Sequence, residues 1–140
     1  ALVVEPYANP FRTYPLEMDY TRFKQLIEDG VDCYILNTGA FMGKKVQPKH
    51  TLGIIEAIVE GKANFKKWAN FSDIEIMELE DFDVNLNNEE YRQQFVARMN
   101  DRVQFISSRD TEKAGLDKLP SDALQALEKV VQEVSATVVV

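Results

Sequence analysis

The chain has 140 residues, 45% of them hydrophobic and 28% charged, a balance that can bury a core and excludes wholesale disorder. Its formal net charge of −7 excludes the broad basic field that nucleic-acid or membrane-surface binding needs, and no apolar run approaches the ~20 residues of a membrane span. One cysteine, Cys33, cannot close an internal disulfide, so a reducing, cytoplasmic setting is expected.

Ala1 to Glu5 reads as a short strand, and Pro6, Pro10 and Pro15 then enforce an irregular passage rich in aromatics. Asp19 is placed to cap a helix carrying Tyr20, Phe23, Leu26 and Ile27 on one face, with Gly30 ending it. Cys33 to Thr38 follows as an apolar, unalternating run, which predicts a buried strand, and a helix feeding such a strand is half of a βαβ unit. Cys33 opens that strand and reads as core filler rather than as a nucleophile. Asn37-Thr38-Gly39 leads into a loop holding Gly43, Lys44, Lys45 and Lys49, and a helix is predicted from about Thr51 to Glu60 with Leu52, Ile55, Ile58 and Val59 as its apolar positions. Pro48 limits how early that helix can start, and Gly61 closes it. Strand, basic loop and helix N-terminus together make a first candidate for a ligand site, because free N–H groups and the helix dipole favour anions there. A merely solvated lysine-rich loop is the competing reading.

Lys62 to Asn70 is expected to be a turn or short helix docking Phe65 and Trp68, and Phe71 to Leu79 a strand. Glu78, Glu80, Asp81 and Asp83 invite a metal reading, but their spacing matches no calcium loop and strand alternation would send neighbours to opposite faces, so a solvated edge is preferred and no metal ligand is assigned. Asn88 is a cap for a long helix beginning at Glu89, with Tyr91, Phe95, Val96, Met99, Val103 and Ile106 as its stripe. Arg92, Arg98, Arg102 and Arg109 read as a solvated face. A polar connection through Gly115 leads to a last helix starting at Leu119-Pro120-Ser121-Asp122, with Leu124, Leu127, Val130, Val131 and Val134 inward. The β-prone end, Ala136 to Val140, either pairs in a sheet or has lost a covering partner. The fold class expected is α/β, a small mixed sheet flanked by about four helices, with residues 1–140 forming a single domain. The absence of an initial methionine fits a piece of a longer protein, although processing would look the same.

The central stretch resembles the C-terminal part of ATP-dependent phosphoenolpyruvate carboxykinase. Leu36-Asn37-Thr38-Gly39, then Gly43-Lys44-Lys45-Val46, then Thr51-Leu52-Gly53-Ile54-Ile55-Glu56-Ala57-Ile58 follow that family's order of a strand ending in Val-Asn-Thr-Gly, a Gly-Lys-Arg-aliphatic loop and a threonine opening an aliphatic helix. Tyr7-Ala8-Asn9-Pro10-Phe11 matches its Phe-Gly-x-Pro-Phe segment. The resemblance spans about Pro6 to Val59. It departs at Lys45, where the family has arginine, at Leu52, where an arginine follows the threonine, and near Tyr14-Pro15, where a histidine is replaced; the family's Asp-Pro-Arg motif is not visible past Leu79.

The resemblance implies the C-terminal domain of that fold and a nucleotide pocket for ATP, with Gly43, Lys44, Lys45, Val46 and Thr51 as the binding residues. Lys45 and Val46 would flank the base and Thr51 would bond to it. Lysine lacks the planar stacking of arginine, but its stem can still lie along a ring. His50 reads as a surface or helix-start residue rather than a catalytic one. The phosphate-binding pattern Gly-x-x-x-x-Gly-Lys-Ser/Thr and its acidic magnesium motif do not occur in these residues. No catalytic residue is therefore assigned, Mg or Mn would come only through the rest of a parent chain, and the fragment alone is expected to be inactive. An intact parent would be a lyase converting oxaloacetate and ATP to phosphoenolpyruvate, carbon dioxide and ADP. The alternatives are a non-catalytic nucleotide-binding descendant and a structural or interaction domain, the latter dimerising through its apolar ends.

Overall fold

Helices form where apolar residues recur at helical spacing, and local devices set their ends. The computed structural model describes residues 11–136. They comprise α1 (Leu16–Glu28), β1 (Ala40–Phe41), β2 (Lys44–Lys45), α2 (Pro48–Val59), β3 (Phe65–Lys67), β4 (Glu75–Met77), α3 (Glu89–Ser108), a 3-10 turn (Glu112–Gly115) and α4 (Ser121–Ala136). The strand expected at Ala1 to Glu5 and most of the β-prone end lie outside the described residues.

The chain divides into two compact units, one built from the described part of Ala1–Cys33 with Arg92–Ala136, the other from Tyr34–Tyr91. In the first, Leu16 is wholly buried and Leu119 nearly so, with Tyr20, Phe105, Ile106 and Ala123 packed against them. The expected stripes of α3 and α4 are all at least half-buried, and Val134 is wholly so. Asp19 does not cap α1. The helix starts at Leu16, because Pro15 already has the φ of −59° that a helix entry needs, and the Asp19 carboxylate instead accepts a bond from the Tyr14 hydroxyl at 3.0 Å. At the other end Gly30, with φ +86°, stops α1 as expected: its N–H reaches the Ile27 carbonyl at 3.0 Å and the Val31 N–H reaches Leu26 at 3.0 Å, a Schellman closure. Arg109 is not part of a solvated face; its guanidinium lies over the Phe105 ring at 4.4 Å and pairs with Glu112.

In the second unit the strands are shorter and differently paired than expected. No mixed sheet occurs among the described residues: β1 pairs antiparallel with β2, and β3 with β4, as two separate ribbons. Cys33 to Thr38 is not a strand and not buried. It has no ladder partner among the described residues, Ile35 is fully exposed, and Cys33 is an exposed free thiol rather than core filler. An apolar run becomes a strand only where neighbours take up its backbone groups, and none of the described residues forms a ladder with it. Phe65–Lys67, expected as turn or helix, is β3, paired through Lys66 opposite Ile76. Lys66 also forms an ion pair with Glu78, the residue after β4, at 2.9 Å. Trp68 and Phe71 are buried and stack at 5.9 Å in the connection between β3 and β4.

The buried ion pair of the first unit gives a direct test. Arg12 pairs with Asp117, their side chains only 2% and 6% exposed. Arg12→Met would leave Asp117 charged without this guanidinium, and the unfolding free energy should fall by about 3 kcal/mol. Thermal denaturation checks this, and replacing both residues by apolar ones should recover much of the loss.

Candidate functional site

The candidate residues fall on a hairpin and the helix that follows it. Asn37 organises the entry: its side-chain oxygen accepts from the Gly39 N–H at 2.9 Å and its amide donates to the Ala40 carbonyl at 3.1 Å. This is an Asx turn, which fixes the start of β1 without a preceding strand. Phe41 then pairs with Lys44 across a two-residue loop whose members, Met42 and Gly43, both have positive φ, 47° and 78°. That is the signature of a type I′ turn, which demands left-handed residues and matches the twist of a hairpin. Gly43 meets the demand freely, whereas Met42 sits in a region that costs a non-glycine residue about 1 kcal/mol.

β2 ends at Lys45, and the Val46 N–H bonds back to the Gly39 carbonyl at 2.9 Å. Helix α2 begins at Pro48, three residues before the predicted start at Thr51. Pro48 occupies the first helical position, where the missing N–H is no loss and the fixed φ is already helical. Gln47 stands at the cap, its N–H donating to Nδ1 of His50 at 3.0 Å, the backward half of a capping box. Since Nδ1 accepts, Nε2 carries the ring hydrogen and donates it to Oδ2 of Asp81 at 3.1 Å. His50 is thus a helix-start residue, as expected.

Asp81 receives a second donor. Lys44 Nζ lies 3.0 Å from Oδ1 of Asp81 and 2.8 Å from its backbone carbonyl. Beneath these contacts is the buried ring of Phe82, with His50 edge-on at 5.1 Å, Phe41 edge-on at 6.1 Å and the Lys44 ammonium 4.9 Å above its centre. Asp81 is therefore not part of a simply solvated edge. It stands in a tight turn, the Phe82 N–H reaching the Leu79 carbonyl at 3.3 Å, and takes one donor on each oxygen. Among the described residues no group of three or more His, Cys, Asp or Glu could hold a metal ion.

Lys44 is thus committed within the unit. Lys45 is exposed, with no ion pair among the described residues, and Val46 is buried at 8% exposure. Thr51 is half-buried in the first turn of α2, next to His50, and its hydroxyl makes no hydrogen bond among the described residues. Of the apolar positions expected, Leu52, Ile55, Ile58 and Val59, only Ile58 is half-buried and the other three are exposed. The half-buried face is Thr51, Ile54, Ala57 and Ile58. α2 is apolar on two sides, so periodicity alone could not choose between them.

Asp81, Phe82 and Gln47 are the members of this arrangement that the sequence reading missed. A two-residue loop between Phe41 and Lys44 is a readable hairpin signal, but the partnership of Asp81 with residues more than thirty positions earlier leaves no local trace. Comparison with protein-family models, with curated proteins and with solved structures gives no match. No helix among the described residues is long and apolar enough to cross a membrane.

The Lys44 hydrogen bond, then its charge, hold the Asp81 carboxyl below its ordinary value, with His50 adding to the pull and desolvation opposing it. In the unfolded chain Asp81 protonates at a higher pH than in the folded one. Its contacts therefore contribute stability above the ordinary carboxylate pKa of about 3.9, and that contribution is lost as pH falls through the lower folded value. In an acid titration followed by the Lys44 side-chain resonances, the Lys44–Asp81 contact should persist into mildly acidic solution and then release in one step. Asp81→Asn should abolish that step; the same acid profile in both proteins would show that Asp81 does not control it.

Proposed function

We propose that this chain is the nucleotide-pocket portion of a phosphoenolpyruvate carboxykinase-like protein, and that ATP is its ligand. The observation that carries the reading is that the ordered set Asn37-Thr38-Gly39, Gly43-Lys44-Lys45-Val46 and Thr51 falls on one hairpin–helix junction, with the Lys45 ammonium and the Thr51 hydroxyl left uncommitted among the described residues. Lys45 offers its aliphatic stem to one face of a base, Val46 its aliphatic side chain to the other, and Thr51 a hydrogen bond at its edge. Phosphoryl transfer and decarboxylation belong to a parent chain that supplies the phosphate-binding loop and the acidic ligands for Mg or Mn; the described residues contain no such ligand group, and no reaction step is assigned to them. In that parent the reaction is the conversion of oxaloacetate and ATP to phosphoenolpyruvate, carbon dioxide and ADP. Thr51→Val, which keeps the shape and removes the hydroxyl, should weaken ATP binding by about 1 kcal/mol, the worth of one net hydrogen bond. Calorimetric titration of the chain with ATP, GTP as control, checks this, and equal affinities for the parent sequence and the Thr51→Val variant would remove Thr51 from the pocket.

A second reading, an interaction domain without nucleotide, is favoured by the exposed apolar side chains of Tyr34, Ile35 and Leu36 and of Leu52, Ile55 and Val59. It expects no response to ATP and self-association in sedimentation velocity that Ile35→Lys abolishes. A monomer that responds to ATP would dismiss it.

A further inference from the structure

We infer that Asp81 is a positioning residue for the nucleotide, setting the separation between the Lys45 stem and the Thr51 hydroxyl; the inference rests on the base-pocket reading above. Two of the residues proposed to line the base pocket, Lys45 and Thr51, are each the chain neighbour of a residue that Asp81 grips. Lys44, next to Lys45, reaches Oδ1 at 3.0 Å, and His50, next to Thr51, reaches Oδ2 at 3.1 Å. One carboxylate therefore takes one donor from β2 and one from the first turn of α2, and its rigid planar geometry fixes how far apart those two elements stand.

The grip has little slack at either end. The His50 ring cannot turn over without losing the Gln47 N–H at Nδ1 as well as Asp81 at Nε2, and Phe82 closes on it edge-on. Lys44 is held twice, by the side chain and by the backbone carbonyl of the same residue. Asp81 itself sits in the tight turn from Leu79 to Phe82, so its position is set by backbone rather than by a mobile loop. Pairs this exposed stabilise a fold only slightly. What they can do is choose one arrangement of two short elements among several of similar energy.

Charge alone makes the opposite forecast, and the sign separates the two. A carboxylate near a nucleotide repels its phosphates, and one that occupies Lys44 withholds an ammonium from them. On charge alone, removing it should tighten ATP binding. If Asp81 positions the pocket, removing it should weaken binding instead.

The test uses the 140-residue chain with Asp81→Asn and, as a control of equal charge change, Asp83→Asn, an exposed residue outside the grip. Two quantities are measured, ATP affinity and the hydrogen-exchange rates of the Gln47, His50 and Thr51 amides, with the β3–β4 amides reporting that the fold is intact. Asp81→Asn should speed exchange at the first turn of α2 by about fivefold and weaken ATP by a similar factor, the upper range for an exposed pair. Asp83→Asn should leave exchange unchanged and bind ATP as well as, or more tightly than, the parent sequence. Unchanged exchange in Asp81→Asn, faster exchange with unchanged or tighter ATP binding, or equal weakening by both variants would each overturn the inference. If the parent sequence itself does not bind ATP, the base-pocket reading falls and takes the nucleotide role of Asp81 with it, while the exchange rates show separately whether the grip exists.

Discussion

A carboxylate that accepts one donor on each oxygen ties together stretches of chain that no regular sheet connects. Around Asp81 the sheets among the described residues of the second unit are two-stranded ribbons of two and three residues, too short to hold their own geometry in water. Their arrangement comes instead from small specific contacts: an Asx turn at Asn37, a type I′ loop at Met42-Gly43, the capping pair of Gln47 and His50, and the Phe82 ring on which Lys44, His50 and Phe41 converge. Each is worth of order 1 kcal/mol or less in isolation. The junction is specified by their agreement, since every one of them is compatible with only a narrow range of positions for the others.

The first unit follows the opposite logic and is the more legible in sequence. The stripes of α3 and α4 pack as their spacing predicts and Gly30 ends α1 as expected, although Asp19 does not cap that helix and Leu26 and Ile27 of its expected face are exposed. These are local signals, carried by residues within one or two turns of each other, and tertiary context does not overrule them. The second unit is less legible for a physical reason. The run from Cys33 to Thr38 has the composition of a buried strand, but pairing is a property of two segments, and composition describes one. Phe65–Lys67 fails in the other direction: a polar stretch read as a turn or short helix becomes a strand because Glu75–Met77 pairs with it. In the candidate site, the hairpin glycine, the lysines and the helix start are visible, whereas Asp81 looks like one carboxylate among four. It differs from Glu80 and Asp83 only by what lies next to it in space.

α2 illustrates why an apolar helix can be placed correctly and oriented wrongly. Its Leu52, Ile55 and Val59 side and its Ile54, Ala57 and Ile58 side are equally suited to a core, and only the second is half-covered. Tyr34, whose ring lies 5.8 Å from that of Phe65, is likewise half-exposed, as is Phe65 itself. Surfaces of this kind are uncommon on free-standing proteins of ordinary stability and are the normal condition of parts that are covered by something else. They accord with the proposal that a larger protein surrounds this stretch.

The two-residue loop of the β1–β2 hairpin carries one more consequence. Successive residues of a strand face opposite ways, so Lys44 and Lys45 point to different sides of the ribbon, one toward Asp81 and one toward solvent. The turn leaves no spare residue to absorb a length change. With the two-residue turn kept, one uncharged insertion between Phe41 and Lys44 would put the inserted residue opposite Phe41 and turn Lys44 to the outer side, with the lysine count and the net charge unaltered. Two adjacent lysines thus have distinct identities only through the parity of the loop before them, and the length of that loop is as much a part of the site as any side chain in it.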